Sequence, residues 1–128
     1  MRRILEIKWL FWMAWLSLAL LICIGSLLPI QNIPLSTNLM SDKMMHTVAY
    51  LILGVCALLS VRTWRKQLRL ILISFFMGVS IEIIQPLTGR YFEMYDILAN
   101  SVGLGFAVCA YFGGAFLIKR IQSEKTVS

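Results

Sequence analysis

Four long apolar runs constrain this chain more than any other feature of its sequence. They lie at about residues 9–28, 44–61, 70–87 and 97–118. A helix needs roughly 20 apolar residues to cross the bilayer core, which is about 30 Å thick, and a helix also satisfies its own backbone hydrogen bonds there. The sequence therefore predicts an all-α polytopic membrane protein, a four-transmembrane-helix bundle formed as a single domain over residues 1–128.

The first apolar run needs separate treatment because basic residues precede it, as they do in a secretion signal. These residues are Arg2, Arg3 and Lys8. The run is longer than the roughly 7–15 apolar residues of such a signal, and no A-x-A cleavage site follows it. We expect a retained membrane anchor.

The Lys and Arg residues are distributed unevenly among the connecting segments. Of the 12, three precede the first run, four lie in residues 62–69 and three follow the fourth run. Basic residues accumulate on the cytoplasmic side of membrane proteins. The distribution therefore predicts a multi-pass protein of the inner (cytoplasmic) membrane with both termini in the cytoplasm. It also accounts for the net charge of +6, so we expect the lipid bilayer and no nucleic acid as a partner.

Several classes of protein are disfavoured by what the sequence lacks. It contains no zinc-finger, P-loop, GxGxxG, GxSxG or HExxH pattern. A chain of 128 residues is also too small for a wide pore or a transporter built from large repeats. Cys23, Cys56 and Cys109 each lie inside an apolar run without CxxC spacing, and we interpret them as small buried hydrophobic residues.

Acidic and amide side chains gather at the ends of the runs that the charge rule places outside the cell. Asp42 and Asp96 lie at such ends, and Glu82 lies near one. Ionisable residues within membrane helices are rare and are functional candidates by default. Glu93 falls in the outer loop, where a solvated charge is the simplest interpretation, and we leave it out of the predicted site.

Helical geometry brings three of these polar groups to a similar depth. His46, Glu82 and Asn100 lie about 6–7 Å inside the outer ends of their helices at 1.5 Å per residue. Tyr50 and Gln85 lie one turn from His46 and Glu82 on the same faces. A stripe of small residues on the fourth helix would let a neighbouring helix approach closely: Ala99, Gly103 and Ala107.

The order of these motifs resembles the VanZ family of small membrane proteins. The motifs are DKMMH with a tyrosine one turn later, GVSIEIIQ, GRYFEMYD and DILANSVG, all within residues 42–107. Two positions depart from the family pattern, since Thr88 stands where proline is frequent and Ala107 where glycine is frequent. The resemblance implies a four-helix membrane domain of the cell envelope and a link to resistance against glycopeptide antibiotics of the teicoplanin type. It implies no particular reaction.

The predicted site contains two groups of residues. Hypothetical catalytic roles fall to Asp42, His46, Glu82 and Asp96, and ligand-binding or supporting roles to Lys43, Tyr50, Gln85, Arg90 and Asn100. An aspartate with His46 would form a general-base pair, Glu82 would be the acid, and Arg90 would hold a phosphate or carboxylate.

Plainer interpretations exist for most of these residues. Asp42 and Asp96 are suitable N-caps, and Lys43 and Arg90 are able to extend to lipid headgroups. Tyr50 is also suited to a helix core, while His46 and Glu82 would serve equally as buried hydrogen-bonding groups that hold the bundle together.

Three functional classes follow from the sequence. The first is an enzyme acting on an envelope lipid or cell-wall intermediate at the outer membrane face. The second is a module that binds a lipid headgroup, a cell-wall ligand or a partner membrane protein, and the third is a structural polar core. Asp42, His46, Glu82 and Asp96 offer donors suited to zinc or manganese. Because there is one histidine and no His-x-x-x-His pair, this signal is weak; we predict no metal site, keep a metal-dependent enzyme as an alternative and leave the cofactor unassigned.

Overall fold

Each predicted apolar run forms a helix in the computed structural model, which describes residues 2–28 and 39–127. The helices are α1 (Arg2–Leu27), α2 (Leu39–Ser60), α3 (Trp64–Ile84) and α4 (Met94–Val127). A 3₁₀ helix, Gln85–Thr88, follows α3 directly. No strand occurs within the described ranges. The predicted all-α, four-helix fold is confirmed, and every helix begins several residues before its apolar run.

All four helices are long and apolar enough to cross a membrane. The candidate spans are Glu6–Leu27, Asp42–Ser60, Trp64–Thr88 and Met94–Glu124. Many large apolar side chains lie on the outside of the bundle, and Leu21, Phe76 and Phe116 are each at least 60% exposed. A bilayer offers such side chains an apolar environment, whereas water does not. The fold is therefore that of a multi-pass membrane protein.

Two interhelical hydrogen bonds establish which helix ends lie together. Gln85 Nε2 donates to the carbonyl of Ser26 at 3.2 Å, which joins the end of α3 to the end of α1. His46 Nδ1 and Asn100 Oδ1 lie 3.1 Å apart and join the starts of α2 and α4. The helices therefore alternate in direction. We call this end of the bundle the carboxylate end, because four acidic residues lie there: Asp42, Glu82, Glu93 and Asp96.

Side-chain hydrogen bonds also hold the middle and the opposite end of the bundle. Trp15 Nε1 donates to Ser74 Oγ at 3.1 Å and ties α1 to α3. Gln67 Nε2 donates to the carbonyl of Leu58 at 2.9 Å and to the hydroxyl of Tyr111 at 3.0 Å. Gln67 is buried, and its amide satisfies a carbonyl near the C-terminus of α2 that has no partner within that helix.

Helices α2 and α4 approach each other through small residues. A Cβ atom at Gly103 would lie 2.3 Å from the carbonyl oxygen of Thr47, and one at Gly54 would lie 2.7 Å from Cβ of Ala107. Ala99 and Ala107 are buried. The small-residue stripe of α4 is therefore the surface that contacts α2, and it allows the side chains at the carboxylate end to meet.

The connection from α3 to α4 departs from the regular helix expected up to Leu87. Pro86 has no N–H group with which to continue the α-helical hydrogen bonds, and the backbone tightens into the 3₁₀ helix. Gly89 then adopts φ 81°, a left-handed conformation that glycine accepts without steric cost. The Arg90 N–H donates back to the carbonyl of Gln85 at 3.2 Å. This turn brings Arg90 close to the end of α1.

The cysteines are only partly as expected. Cys56 is buried and Cys23 is half-buried, but Cys109 is exposed on the outer surface of α4, so the prediction of a buried residue was wrong there. All three are free thiols, which agrees with the absence of disulfide spacing. Cys56 belongs to a core that consists otherwise of Trp15, Tyr50, Leu53, Ala57 and Leu104.

A carboxylate and imidazole cluster at one end of the bundle

Lys43 forms the ionic centre of the carboxylate end. Its ammonium group pairs with Glu93 and with Oδ1 of Asp96, and it thereby joins α2 to α4 and to the segment that precedes α4. A lysine held in this way does not extend to lipid headgroups, so the snorkelling interpretation is wrong. The interpretation of Glu93 as a merely solvated charge is also wrong, because its carboxylate belongs to this ion pair.

His46 lies between an amide and a carboxylate. Its Nδ1 is 3.1 Å from Oδ1 of Asn100, and its Nε2 is 3.7 Å from Oδ2 of Asp96. An amide oxygen only accepts hydrogen bonds, so Nδ1 is the donor in this contact, and Nε2 faces the carboxylate of Asp96. One carboxylate oxygen each from Asp42 and Asp96 and one ring nitrogen of His46 lie within 4.8 Å of one another. The structure thus brings three of the four predicted catalytic residues together.

Neither aspartate is a helix N-cap, which corrects the capping interpretation. Helix α2 begins at Leu39 and α4 begins at Met94, so Asp42 and Asp96 both lie within the first turn. Their carboxylates still carry favourable charge near a helix N-terminus. Asp42 has no hydrogen-bonding or ionic partner among the residues that the structure describes.

Glu82 is the most deeply buried carboxylate, with no exposed surface. Its Oε2 accepts a hydrogen bond from the backbone N–H of Glu93 at 3.4 Å, and its Oε1 has no partner within the described ranges. Asp96, His46 and Lys43 lie within electrostatic range of it. Glu82 therefore lies behind the cluster and is not in hydrogen-bonding contact with His46.

Tyr50 and Asn100 occupy space that a glycine leaves free. Tyr50 is 1% exposed, and its hydroxyl has no hydrogen-bonding partner among the described residues. A Cβ atom at Gly78 would lie 2.8 Å from this hydroxyl and 3.1 Å from Nδ2 of Asn100. Gly78 lies one turn before Glu82 on the same face of α3, and that spacing is the sequence signal for its role.

A cavity of about 310 Å³ lies between α1 and α2 beside the cluster. Its polar lining comes mainly from four residues: Ser26, Asp42, His46 and Arg90. Its apolar lining comes mainly from another four: Leu21, Ile22, Met45 and Ala49. Leu21 and Met45 are also more than 60% exposed on the outside of the bundle. The cavity therefore connects the polar cluster with the surface that faces lipid.

Arg90 and Gln85 both contact the last turn of α1. Arg90 Nη1 donates to the carbonyl of Ser26 at 3.3 Å, the same oxygen that accepts from Gln85. A guanidinium has five N–H donors. Within the described ranges, the bond to Ser26 is the one hydrogen bond that the Arg90 guanidinium makes to another residue. Sequence reasoning missed Ser26, because its contribution is a backbone carbonyl at a helix end and any residue type supplies one.

Together these features define a four-helix membrane protein with buried carboxylates and a single imidazole at one end. A family model described as VanZ/LLP1 matches residues 5–118. The chain therefore belongs to the VanZ/LLP1 family. The match confirms the resemblance carried by residues 42–107 and extends it through α1. A search of curated proteins and a search of solved structures each gave no match.

Proposed function

We propose that this protein binds an envelope lipid or a lipid-linked cell-wall intermediate at its carboxylate end and acts on the headgroup. One observation carries the proposal: the cavity of about 310 Å³ joins an apolar wall that reaches the lipid-facing surface to the side chains of Asp42 and His46. Ligand sites combine a largely apolar lining with a few polar groups that fix orientation. An amphiphile is the class of molecule that matches both parts of this cavity.

The distribution of charge supports a location at the outer face of the cytoplasmic membrane. Ten of the 12 Lys and Arg residues lie in segments away from the carboxylate end. Such residues favour the cytoplasmic side. With this orientation, the cluster faces the outer side of the membrane, where cell-wall intermediates are incorporated into the cell wall.

The proposed chemistry is general acid–base catalysis. The imidazole of His46, close to the carboxylates of Asp42 and Asp96, is suited in its neutral form to accept a proton from water or from a substrate hydroxyl. A positioned base of this kind contributes about 10² to 10⁴ in rate. Arg90 supplies N–H donors to the anionic part of the headgroup, and Glu82 is the second acidic group of the proposed site.

The family relationship extends the proposal to antibiotic susceptibility. VanZ proteins are linked to resistance against glycopeptides of the teicoplanin type, and a modified or sequestered envelope component would change what such an antibiotic meets at the membrane surface. Expression of this protein is expected to change susceptibility to teicoplanin-type compounds through that component.

A second candidate function is binding without a chemical step. No hydroxyl or thiol group hydrogen-bonds to His46 within residues 2–28 and 39–127, so the described site lacks a hydroxyl or thiol nucleophile that His46 could activate. The ion pair of Lys43 with Asp96 links α2 to α4, which suits a recognition surface for a headgroup, a cell-wall ligand or a partner membrane protein.

Lipid and cell-wall precursor profiles test both functions. Membranes from cells that contain the wild-type protein, no protein or the Asp42→Asn variant would be compared by mass spectrometry. Asp42 has no described partner, so its amide variant is expected to fold. The Glu124→Gln variant, altered at an exposed carboxylate near the opposite end, is the matched control and should behave as wild type.

The outcomes separate the candidates. A species that is gained or lost with the wild-type protein and the control, but not with Asp42→Asn, supports catalysis. Unchanged species combined with Asp42-dependent retention of a lipid by the purified protein supports binding. If Asp42→Asn matches wild type in both measurements, the proposed site is wrong.

A further inference from the structure

The carboxylate end holds more negative charge than its own cations balance. Besides the buried Glu82, three carboxylates lie there, from Asp42, Glu93 and Asp96, whereas the described cations at this end are Lys43 and Arg90. Burial of unbalanced charge at membrane depth is costly. The same excess would repel the anionic headgroup of most envelope lipids.

We infer that Asp42, His46 and Asp96 bind a divalent cation of the zinc or manganese type, which links the protein to an anionic headgroup. Two carboxylates and one imidazole form a ligand set that suits these ions. Three protein ligands also leave coordination positions open for a ligand oxygen. The inference rests on the proposed function for the identity of that headgroup, whereas binding of the ion itself is a separate property of the cluster. With the ion bound, Nε2 of His46 is a metal ligand and does not act as the general base.

The distances of the cluster suit a single ion. The three candidate ligand atoms lie within 4.8 Å of one another. In a tetrahedral site, metal–ligand bonds of about 2.0–2.2 Å place two ligand atoms about 3.3–3.6 Å apart. Asp42, His46 and Asp96 therefore need to approach one another by about 1.5 Å at most to bind one ion.

The orientation of His46 favours the same conclusion. Metal-binding histidines usually donate the N–H of their other ring nitrogen to a neighbouring acceptor, which fixes the tautomer and the direction of the ring. Asn100 provides that acceptor at 3.1 Å. Nε2 lies 3.7 Å from Oδ2 of Asp96, which is too far for a hydrogen bond. A cation bound between these two atoms would satisfy both.

Two buried polar atoms next to the cluster provide an independent indication of a bound ligand. Tyr50 is 1% exposed and lines the same cavity as Asp42 and His46. Its hydroxyl and the Oε1 atom of the fully buried Glu82 both lack hydrogen-bonding partners within the described ranges. Buried polar atoms without partners are rare in folded proteins, and oxygens bound to the ion would give them partners.

An ion at this cluster contrasts with the sequence-based expectation of no metal site. Asp42 and His46 lie one turn apart on α2, so their spacing in the sequence relates these two residues to each other. The third ligand, Asp96, lies on α4 and cannot be found from spacing within α2. Only the packing of α2 against α4 through Gly103 brings Asp96 to the pair.

Lys43 shares Asp96 with the inferred ion. The ammonium group pairs with Oδ1 of Asp96, whereas Oδ2 faces His46. Removal of this positive charge by Lys43→Gln makes Asp96 a stronger ligand. We expect metal affinity to rise about tenfold, the size of change that loss of one charged hydrogen bond produces. Misfolding would lower affinity, so a gain cannot arise from it.

Equilibrium metal binding to the full-length protein in detergent tests the inference. After chelator treatment and dialysis, Zn²⁺ and Mn²⁺ would be titrated separately, and bound metal per chain would be measured by mass spectrometry. We expect one ion per wild-type chain. Affinity should fall at least tenfold for His46→Ala and Asp96→Asn, stay unchanged for Glu124→Gln and rise for Lys43→Gln.

The results distinguish this inference from the proposed function. The inference is overturned if the wild-type protein binds no metal, or if His46→Ala, Asp96→Asn and Lys43→Gln all bind metal with wild-type affinity. If retention of an anionic lipid still requires Asp42 under those conditions, and chelator has no effect on it, the proposed function stands alone. A third outcome is one bound ion per chain with the expected affinities of the variants, but no retained lipid and no altered lipid species. That outcome supports the inference and overturns the proposed function.

Discussion

Glu82 has two carboxylate oxygens with different surroundings. Oε2 accepts the backbone N–H of Glu93, whereas Oε1 has no partner in the part of the chain that the structure describes. A purely structural hydrogen bond would use an uncharged acceptor equally well and would avoid the desolvation of a charge. A buried acid with one free oxygen is better explained by a role in binding or chemistry.

Replacement of Glu82 by glutamine separates these roles. The amide keeps the shape and the acceptor for the Glu93 N–H, so Glu82→Gln should change the thermal midpoint in detergent by only a few degrees. We expect the lipid species made or retained by the protein to fall by about 10²-fold, because the acidic group is lost. Wild-type levels of that species in a stably folded Glu82→Gln variant would show that the residue is structural.

The spacing of residues along each helix predicted part of the candidate site. His46 lies four positions after Asp42, and Asn100 lies four positions after Asp96. In the structure, His46 contacts Asn100 directly. The positions of Lys43 and Glu93 were not predictable in the same way. Glu93 lies after the Gly89 turn, and only the path of that turn brings its carboxylate to Lys43.

The pair formed by α2 and α4 positions most of the cluster. Asp42 and His46 come from α2, whereas Asp96 and Asn100 come from α4, and Gly103 lies one turn beyond Asn100. Lipid provides no hydrophobic drive for helix association, so close packing of small residues contributes much of the stability. The geometry of the cluster therefore depends on how closely these two helices approach.

A matched pair of glycines on α4 tests this dependence. A Cβ atom at Gly103 would lie 2.3 Å from the backbone oxygen of Thr47, whereas one at Gly105 would have no heavy atom within 4 Å. Backbone cannot give way as a flexible side chain does, so Gly103→Ala should destabilise the protein by about 1–3 kcal/mol. Gly105→Ala should be neutral or stabilising, because alanine is favoured over glycine in helices by about 1 kcal/mol.

Unfolding in a titration with SDS, followed by circular dichroism, measures both effects. Gly103→Ala should also weaken the metal and lipid binding proposed above, since it separates α2 from α4 at the cluster. Equal stability of the two alanine variants would show that the close approach at Gly103 is not required for packing.

The helices themselves were predictable from long apolar runs, because length and composition decide what crosses a bilayer. Their ends were less predictable. Sequence preference suggested Asp96 as an N-cap, yet α4 begins at Met94, and an apolar pattern alone did not show that Pro86 would end α3 in a 3₁₀ helix. Helix ends depend on local hydrogen bonds and tertiary contacts, which hydropathy does not report.

The two ends of the whole molecule differ in charge. The carboxylate end holds four of the six acidic residues, whereas most Lys and Arg residues lie beyond the other end in residues 2–8, 62–69 and 119–125. An asymmetry of this kind sets the orientation in which a membrane protein is inserted. The proposed function requires the carboxylate end to face outwards, so a measurement of the membrane orientation tests the proposed function.

Labelling of single cysteines in intact cells provides that test. In a background in which Cys23, Cys56 and Cys109 are replaced by alanine, Tyr91→Cys places a thiol at the carboxylate end, where Tyr91 is 83% exposed. Arg65→Cys places one at an exposed position of the opposite end. A membrane-impermeant maleimide should label Tyr91→Cys in intact cells and Arg65→Cys only after permeabilisation, because ten basic residues favour the cytoplasmic side for their segments. The reverse pattern would place the cluster on the cytoplasmic side and exclude an outer-face headgroup as its ligand.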